Sequence, residues 1–172
     1  RDTAESVGNW SRDGRFLYIA YFDYTRIDSA GVLQENYRIA RIDLNRNSTQ
    51  DISPPEDIDS SPLISPDDSL IVFSSLNPPS PEPGPVRQLF LMDTDGKNRR
   101  KLTRTDHKFE HPVAWSGDGN RILFNTMDDQ LVPYQNPPRG IFIIASDGTG
   151  LRELTPFDFR QAISFATSWR KE

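Results

Sequence analysis

The sequence predicts an all-β fold made of repeated units, and two observations support this prediction. A pattern of apolar anchor, Ser, turn and apolar strand occurs three times in the 172 residues. The anchors are Trp10, Ile64 and Trp115, and Trp169 opens a fourth copy, so that the pattern recurs every 51 to 54 residues. A fixed period near fifty residues is typical of repeat architectures. The sequence shows no helical periodicity, so we expect each unit to consist of strands.

Each copy contains four strand candidates of distinct character. The first ends at the anchor, the second is a short apolar run, the third is apolar or alternating, and the fourth is short and polar. The predicted strands are 6–10, 16–21, 37–42 and 49–52 in the first copy, 62–64, 70–73, 88–92 and 99–103 in the second, and 112–115, 122–124, 141–144 and 152–155 in the third. Apolar runs of this length are typical of strands buried on both faces, whereas short charged strands suit the outer edge of a sheet.

Turn-forming residues separate the strands. Asp with Gly or Pro follows each anchor and supplies the backbone angles of a tight reversal. Asp95-Gly96 and Asp147-Gly148 stand between third and fourth strands, where Asp-Gly is a strong hairpin signal. Four consecutive antiparallel strands form the meander of a propeller blade. We therefore predict an all-β partial β-propeller, with about three four-stranded antiparallel blades plus one extra inner strand.

The predicted domain is a single propeller segment over residues 1–172. Blade 1 is expected at about 4–53, blade 2 at about 60–103, blade 3 at about 111–155, and the extra strand at about 162–169. Three blades do not close a ring, because propellers need about four to eight. The chain is then the remainder of a longer propeller that completes the ring, one half of a homodimer with three plus three blades, or a fragment. The start at Arg1 and the strand phase at the C-terminus favour the first explanation.

Composition argues against several classes of partner. The formal net charge is −5, and Lys and Arg are scattered among slightly more Asp and Glu, so we expect no nucleic-acid partner. The densest basic run, 97–101, is interpreted as solvated charges at an edge strand. No apolar stretch is long enough to span a bilayer, so we expect no membrane insertion. The chain has no cysteine, which excludes disulfides, thiolate metal sites and a cysteine nucleophile.

Motifs for catalysis or metal binding are missing from the sequence. His107 and His111 lie four residues apart, but the order is not His-Glu-x-x-His and the segment lies between strands. No Gly-x-Ser-x-Gly elbow and no phosphate-binding loop is present. Residues 93–98 resemble the start of a calcium loop without its closing Glu. We predict a chain that is not an enzyme and that has no cofactor and no metal ion.

Long, variable connections fall on one face of the predicted blades. Connections between second and third strands share a face with those between blades, and variable loops on one side of a repeat scaffold usually carry binding. Aromatic residues and Arg are common interface anchors. The candidate partner contacts are Tyr24, Arg26, His107, Phe109, Tyr134 and Arg139. The alternative for the three aromatic residues is that each holds its own loop against the sheet below.

Several motifs resemble the repeats of the TolB-like propellers, also called WD40-like or PD40 repeats. The matching segments are 112–119 for the anchor and its turn, 93–96 for the Asp-x-Asp-Gly hairpin, and 102–103 and 154–155 for the closing Leu-Thr. The departures are Arg12 and Gly117 in place of Pro, Asp68 in place of Gly, Ile64 in place of Trp, and a first blade without the Asp-x-Asp-Gly hairpin. The resemblance implies a bacterial β-propeller that mediates protein–protein interaction in the periplasm or another extracytoplasmic setting.

These observations lead to one functional prediction and one alternative. We predict a non-catalytic β-propeller module that binds a protein or peptide partner through its long-loop face, with the central channel as a second candidate location. The alternative is an accessory or gating propeller of a larger peptidase or other hydrolase, because the resemblance extends to such enzymes. A carbohydrate-active propeller would need carboxylates or His clustered at the channel mouth.

Overall fold

The computed structural model describes residues 5–22, 37–76, 86–105, 109–127 and 140–154. These residues form three four-stranded antiparallel sheets, and no helix occurs among them. The prediction of an all-β chain with three partial-propeller blades is confirmed. The extra strand predicted at 162–169 lies outside the described residues, as does Thr155.

The strands follow one another in order within each sheet. Blade 1 contains β1 Glu5–Trp10, β2 Phe16–Phe22, β3 Tyr37–Asp43 and β4 Ser48–Asp51. Blade 2 contains β5 Asp59–Ile64, β6 Leu70–Ser75, β7 Gln88–Asp93 and β8 Arg100–Lys101. Blade 3 contains β9 Phe109–Trp115, β10 Arg121–Met127, β11 Gly140–Ala145 and β12 Arg152–Glu153.

The first strands of blades 2 and 3 are longer than the sequence predicts. The sequence predicts that these strands begin at Pro62 and Pro112. Both prolines instead lie inside strands, next to a shift in the pairing register between the first and second strands. A register shift and an edge position both accommodate proline. The predicted fourth strands of these blades are longer than the two-residue strands β8 and β12.

The first strand of each blade is the inner one. β1 contacts β5 and β5 contacts β9, whereas β4 and β8 lie at the outer edges of their sheets. The three first strands therefore converge on a common axis, as the inner strands of a propeller do. The turns between first and second strands lie together at one end of this axis, where the first strands end.

Two apolar layers hold the blades together. Between blades 1 and 2 the layer contains Tyr18, Ile39, Ile52, Ile64, Ile71, Phe73, Phe90 and Met92. Between blades 2 and 3 it contains Val72, Leu89, Leu91, Leu102, Trp115, Ile122, Phe124, Phe142 and Ile144. All of these side chains are buried, and complete burial of one such side chain is worth about 1.5–3 kcal/mol. Packing between sheets therefore makes a large contribution to stability.

Candidate interaction site at the channel mouth

Each anchor is followed by a turn whose side chains bond to one another in the same way in all three blades. In blade 3, Ser116 Oγ donates to Asp118 Oδ1 at 2.6 Å and accepts from the Arg121 N–H at 2.9 Å. Asp118 also accepts from the Asn120 N–H at 3.0 Å. These hydrogen bonds fix the chain path where the inner strand ends.

The serine contact recurs in blades 1 and 2 and favours the ionised form of the turn carboxylate. Ser11 Oγ donates to Asp13, and Ser65 Oγ donates to Asp67, each at 2.6 Å. This hydrogen bond is the largest cause that lowers the pKa of Asp118 to about 2, and it lowers the pKa of the other two aspartates as well. Hydrogen bonds to a carboxylate stabilise its charged form.

A carboxylate links the turns of blades 1 and 2. Asp68 accepts from the Arg12 N–H with both oxygens, each at 3.0 Å, and its backbone has a φ of 60°. Between blades 2 and 3, the residues at the positions of Arg12 and Asp68 are Pro66 and Gly119. A Cβ added to Gly119 would lie 3.8 Å from Cδ of Pro66. Proline has no N–H to donate, so a carboxylate at 119 would lack the partner that Asp68 has. Two departures from the repeat pattern are therefore linked: Asp68 in place of Gly accepts the backbone N–H that Arg12, in place of Pro, provides.

A cavity of about 660 Å³ lies where the three inner strands end. Its wall combines apolar, aromatic and charged groups from β1, β5, β9 and the turns that follow them. Among its lining residues are Asn9, Trp10, Arg12, Ile64, Asp68 and Trp115. The cavity lies at the end of the axis where the short turns follow the inner strands, whereas the sequence predicts partner binding on the long-loop face.

The anchor positions have different environments in this cavity. The Trp115 indole N–H donates to the Leu63 carbonyl at 3.0 Å, and Trp115 is only 7% exposed. Ile64, at the same position of blade 2, is 8% exposed. Trp10 is 56% exposed, because no other described blade packs on that side of blade 1. A large indole is thus accessible beside the channel mouth.

A buried ion-pair network lies at the other end of the junction between blades 1 and 2. Arg99 donates to both oxygens of Asp59, at 2.6 and 2.7 Å, and lies 3.0 Å from an oxygen of Asp57. Its guanidinium stacks 4.6 Å from the centre of the Phe73 ring. Ser53, at the end of blade 1, donates to Asp59 at 2.8 Å. The interpretation of the whole basic run as solvated charge is wrong for Arg99, whose side chain is 16% exposed.

Glu110 occupies in blade 3 the register position that Asp59 occupies in blade 2. It is fully buried, accepts from the Leu89 N–H at 3.1 Å, and accepts a hydrogen bond from Thr103 Oγ1. Thr103 corresponds to Ser53, so blades 1 and 2 each end in a hydroxyl that donates to the acid at the start of the next blade. These two acids therefore stabilise blade junctions.

The titratable groups of the described residues show no arrangement that would bind a metal ion. Within the described part of the chain, no cluster of three or more His, Cys, Asp or Glu could hold a metal ion. The pKa of His111 is lowered by burial and by the positive charge of Arg87, which favours a neutral imidazole at pH 7. The described residues also include no helix long and apolar enough to cross a membrane.

Most of the predicted partner contacts fall in segments that the structure does not describe. Tyr24, Arg26, His107, Tyr134 and Arg139 lie outside the described residues, so their roles stay predictions.

Phe109 begins β9 and is 2% exposed. Its burial supports the alternative interpretation that this ring holds its own loop against the sheet. We therefore do not offer Phe109 as a partner contact.

Sequence reasoning missed the residues that surround the cavity. Trp10 was used only as a structural anchor, and Arg12 only as a replacement for proline. Asn9 and Asp68 were not singled out for binding. One signal was available in the sequence: only the first copy combines a tryptophan anchor, Trp10, with a charged residue, Arg12, at the second position of the turn. The exposure of Trp10 could not be predicted, because it depends on which faces of the blades are covered by neighbouring blades.

No family model matches the sequence, and no curated protein matches it either. Solved structures do match. A protein assigned as TolB from Agrobacterium tumefaciens is 18% identical with a TM-score of 0.65, covering 88% of this chain and 49% of that chain. A nidogen/laminin complex structure is 14% identical with a TM-score of 0.61, covering 89% and 48%. The acylaminoacyl peptidase of Pyrococcus horikoshii is 15% identical with a TM-score of 0.60, covering 91% and 26%.

The chain therefore has a TolB-like β-propeller fold. It spans about half the length of the TolB and nidogen/laminin chains that it matches, and about a quarter of the peptidase chain. At these identities the similarity establishes the fold alone, because one fold carries many unrelated functions.

Proposed function

We propose that this chain is a non-catalytic β-propeller module that binds a protein or peptide partner at the mouth of its central channel. The observation that carries the proposal is the cavity at the ends of β1, β5 and β9, whose wall includes the exposed residues Trp10 and Arg12. Trp and Arg are the side chains most enriched at interface hot spots. The nidogen/laminin structure is a complex and supports such a use of the fold.

The inner strands add a second means of recognition. Each of them pairs with the second strand of its own blade, and among the described residues the one further backbone pairing is the bridge between Phe109, at the start of β9, and Arg87. The other edge of each inner strand faces the channel, and an extended peptide can bond to such an edge through its backbone. Side chains at the mouth would then select among peptides.

A peptide selection tests this proposal. The immobilised chain is used to select from random-sequence peptides displayed on phage, and the affinity of selected peptides is measured by fluorescence anisotropy. We expect Arg12→Ala to weaken binding at least about tenfold, the effect of losing a contact worth roughly 1.4 kcal/mol. The matched control is Arg46→Ala, which removes a guanidinium that is 76% exposed on the turn between β3 and β4.

The long-loop face is tested in the same assay. The variant Tyr134→Ala with Arg139→Ala removes the contacts predicted from the sequence. A loss of binding in this variant, with Arg12→Ala unaffected, would move the site to the long-loop face and overturn its location at the channel mouth. Failure to select any peptide, or binding that neither variant changes, would contradict the proposed function.

A second candidate function is the accessory propeller of a larger hydrolase. The match to the acylaminoacyl peptidase favours it, because this chain corresponds to only a quarter of that enzyme. A catalytic Ser-His-Asp domain next to these blades in the full-length gene would support this candidate. A gene without such a domain would contradict it.

We also propose an extracytoplasmic location, on the basis of the resemblance of the repeat motifs to periplasmic propellers. Osmotic-shock fractionation of cells that express the full-length protein tests this. Recovery with the cytoplasmic fraction would contradict the proposal.

A further inference from the structure

We propose that the open side of blade 1 is a docking surface for the last blade of a second copy of this chain. The inference does not depend on partner binding at the channel mouth. It rests on the two blade junctions that the structure already contains, whose contacts repeat from blade to blade.

The first line of support is a row of side chains across blade 1. Trp10 pairs with Leu17, and Leu17 pairs with Ile42, so these three residues lie side by side on one face of the sheet. The opposite face of blade 1 contributes Tyr18 and Ile39 to the buried layer with blade 2. We call the row of Trp10, Leu17 and Ile42 the open row.

The corresponding rows of the other blades are buried. In blade 2 the row consists of Ile64, Ile71 and Met92, which are 8%, 0% and 1% exposed. In blade 3 it consists of Trp115, Ile122 and Ile144, which are 7%, 0% and 2% exposed. Both rows are covered by the preceding blade. In blade 1, Trp10 is 56% exposed and Leu17 and Ile42 are half-buried, and no described blade packs on this row.

The second line of support is the outer end of blade 3. Ile52 and Leu102 each follow a fourth strand, bond through their N–H to the third strand, and are 6% exposed against the next blade. Leu154 makes the same backbone bond, to the Ile141 carbonyl at 2.8 Å, but is 42% exposed. Leu154 at the end of blade 3 is therefore exposed, and so is Trp10 on the face of blade 1 that would receive it.

Arginine contacts between neighbouring blades give a third line of support for the contact between blade 3 and blade 1 of a second copy. Arg41 of blade 1 donates to the Thr94 carbonyl, and Arg100 of blade 2 donates to the Ser146 carbonyl, in each case in the hairpin of the next blade. Arg152 has the register of Arg100 and is exposed. In the proposed contact it reaches the Leu44 carbonyl of the second copy, which stands at the same hairpin position.

The contact is head-to-tail, because blade 3 of one copy packs on blade 1 of the other. In a dimer, each copy can offer both surfaces, so the contact forms twice. The three described blades of each of two chains give six, a number within the range of closed propellers. A closed ring with two equal contacts has no remaining open face. It also encloses the channel mouth that one chain leaves open at the side of Trp10.

Sedimentation velocity on the native chain is the first test. We expect a species with twice the chain mass of 19.6 kDa in the micromolar range. A chain that stays monomeric to hundreds of micromolar overturns the proposal.

Two substitutions then locate the contact. Ile42→Arg places a charge in the open row, and Leu154→Arg places one at the end of blade 3. Each is expected to weaken dimerisation at least about tenfold, because an unpaired charge would be buried in the contact. The matched control is Leu151→Arg, since Leu151 is 44% exposed and has the register of Arg99, which faces the preceding blade. Far-UV circular dichroism and urea unfolding check that each variant folds.

Mixing the variants identifies the geometry. A pair of Ile42→Arg and Leu154→Arg chains keeps one intact contact, whereas each variant alone keeps none, so the mixture should form dimers more tightly than either variant. A face-to-face dimer of two open rows predicts no effect of Leu154→Arg and no rescue on mixing. Either of those results would falsify the head-to-tail contact.

Discussion

At the scale of single residues, the serine that follows each anchor organises its turn. Ser116 supplies one hydrogen bond to Asp118 and receives one from the Arg121 N–H, and it is 5% exposed. Ser116→Ala leaves that N–H without its side-chain partner, and we expect a loss of about 1–2 kcal/mol in the free energy of unfolding. Urea denaturation measures it. Ser48→Ala, at an exposed serine, is the control and should change stability by less than about 0.5 kcal/mol.

The same residue controls the response to acid. The folded-state pKa of Asp118 is about 2, below its ordinary value of 3.8, so this carboxylate contributes stability above pH 4 that is lost as the pH falls towards 2. Ser116→Ala raises this pKa and should flatten the dependence of stability on pH in that interval. An unchanged slope between pH 4 and 2 would show that the serine does not hold the carboxylate.

The contact between Arg12 and Asp68 gives a second prediction at this scale. Arg12→Pro deletes the N–H that Asp68 accepts, although proline suits the second position of this turn. We expect Arg12→Pro to lower stability by about 0.5–1 kcal/mol with Asp68 present, and to raise it by about 0.5 kcal/mol in the Asp68→Gly background. Urea denaturation of the two single variants and the double variant measures this coupling. Effects that simply add would contradict the link.

The sequence reveals these residues unequally. Ser11, Ser65 and Ser116 stand out because they recur at one position of the repeat. Asp68 is visible as a departure from Gly, but its partner is 56 residues away and only the docking of two turns brings them together. The burial of Arg99 could not be predicted from the sequence, because charge runs are usually solvated and the direction of its side chain depends on the strand register.

At the scale of strands and blades, one cation joins several elements at the first junction. Arg99→Met leaves the fully buried Asp59 without its counter-charge, and we expect a loss of about 3–5 kcal/mol in unfolding free energy. Adding Asp59→Asn removes the unpaired charge and should recover most of that loss. Equilibrium unfolding of the two single variants and the double variant forms the cycle. A loss below about 1 kcal/mol in Arg99→Met would contradict the role of the ion pair.

The approach of a hairpin to the preceding blade gives another prediction. A Cβ at Gly96 would lie 2.5 Å from the Ile52 carbonyl oxygen, whereas at Gly14 nothing lies within 4 Å. Both glycines have positive φ, 87° and 70°. Gly14→Ala should therefore cost about 1 kcal/mol from backbone strain alone, and Gly96→Ala about 3 kcal/mol, because the blades must also move apart. Thermal and urea unfolding of the two variants measure the difference; equal losses would contradict the close contact.

The strand pattern was largely predictable, for a physical reason. Alternating turn residues and short apolar runs are local signals, so every predicted strand in the described residues coincides with an observed one. Strand ends were less predictable, because Pro62 and Pro112 suggest a beginning where the strand continues past a register shift. The cavity could not be predicted, since it arises from three strands that are distant in sequence.

At the scale of the whole molecule, stability should be highest in the middle. Blade 2 has a neighbour on each side, and its strands β6 and β7 are almost completely buried, whereas the strands of blade 1 alternate buried with half-buried residues. Repeat proteins derive stability from neighbouring contacts, and local opening follows the least supported elements. Native-state hydrogen exchange, measured at a concentration where the chain is monomeric, should therefore be slower in β6 and β7 than in β2 and β3. Equal protection would contradict this order.

The exposed ends of the blade stack have a consequence for polymerisation. Units that join head to tail either return to their starting point or continue without limit, and the angle between adjacent units decides which outcome occurs. Any substitution that changes the tilt of blade 1 against blade 2 by a few degrees would favour fibres over compact particles. Arg99 lies on the face of blade 2 that packs against blade 1, so we expect Arg99→Met to change this angle. Electron microscopy of the variant at high concentration should then show filaments.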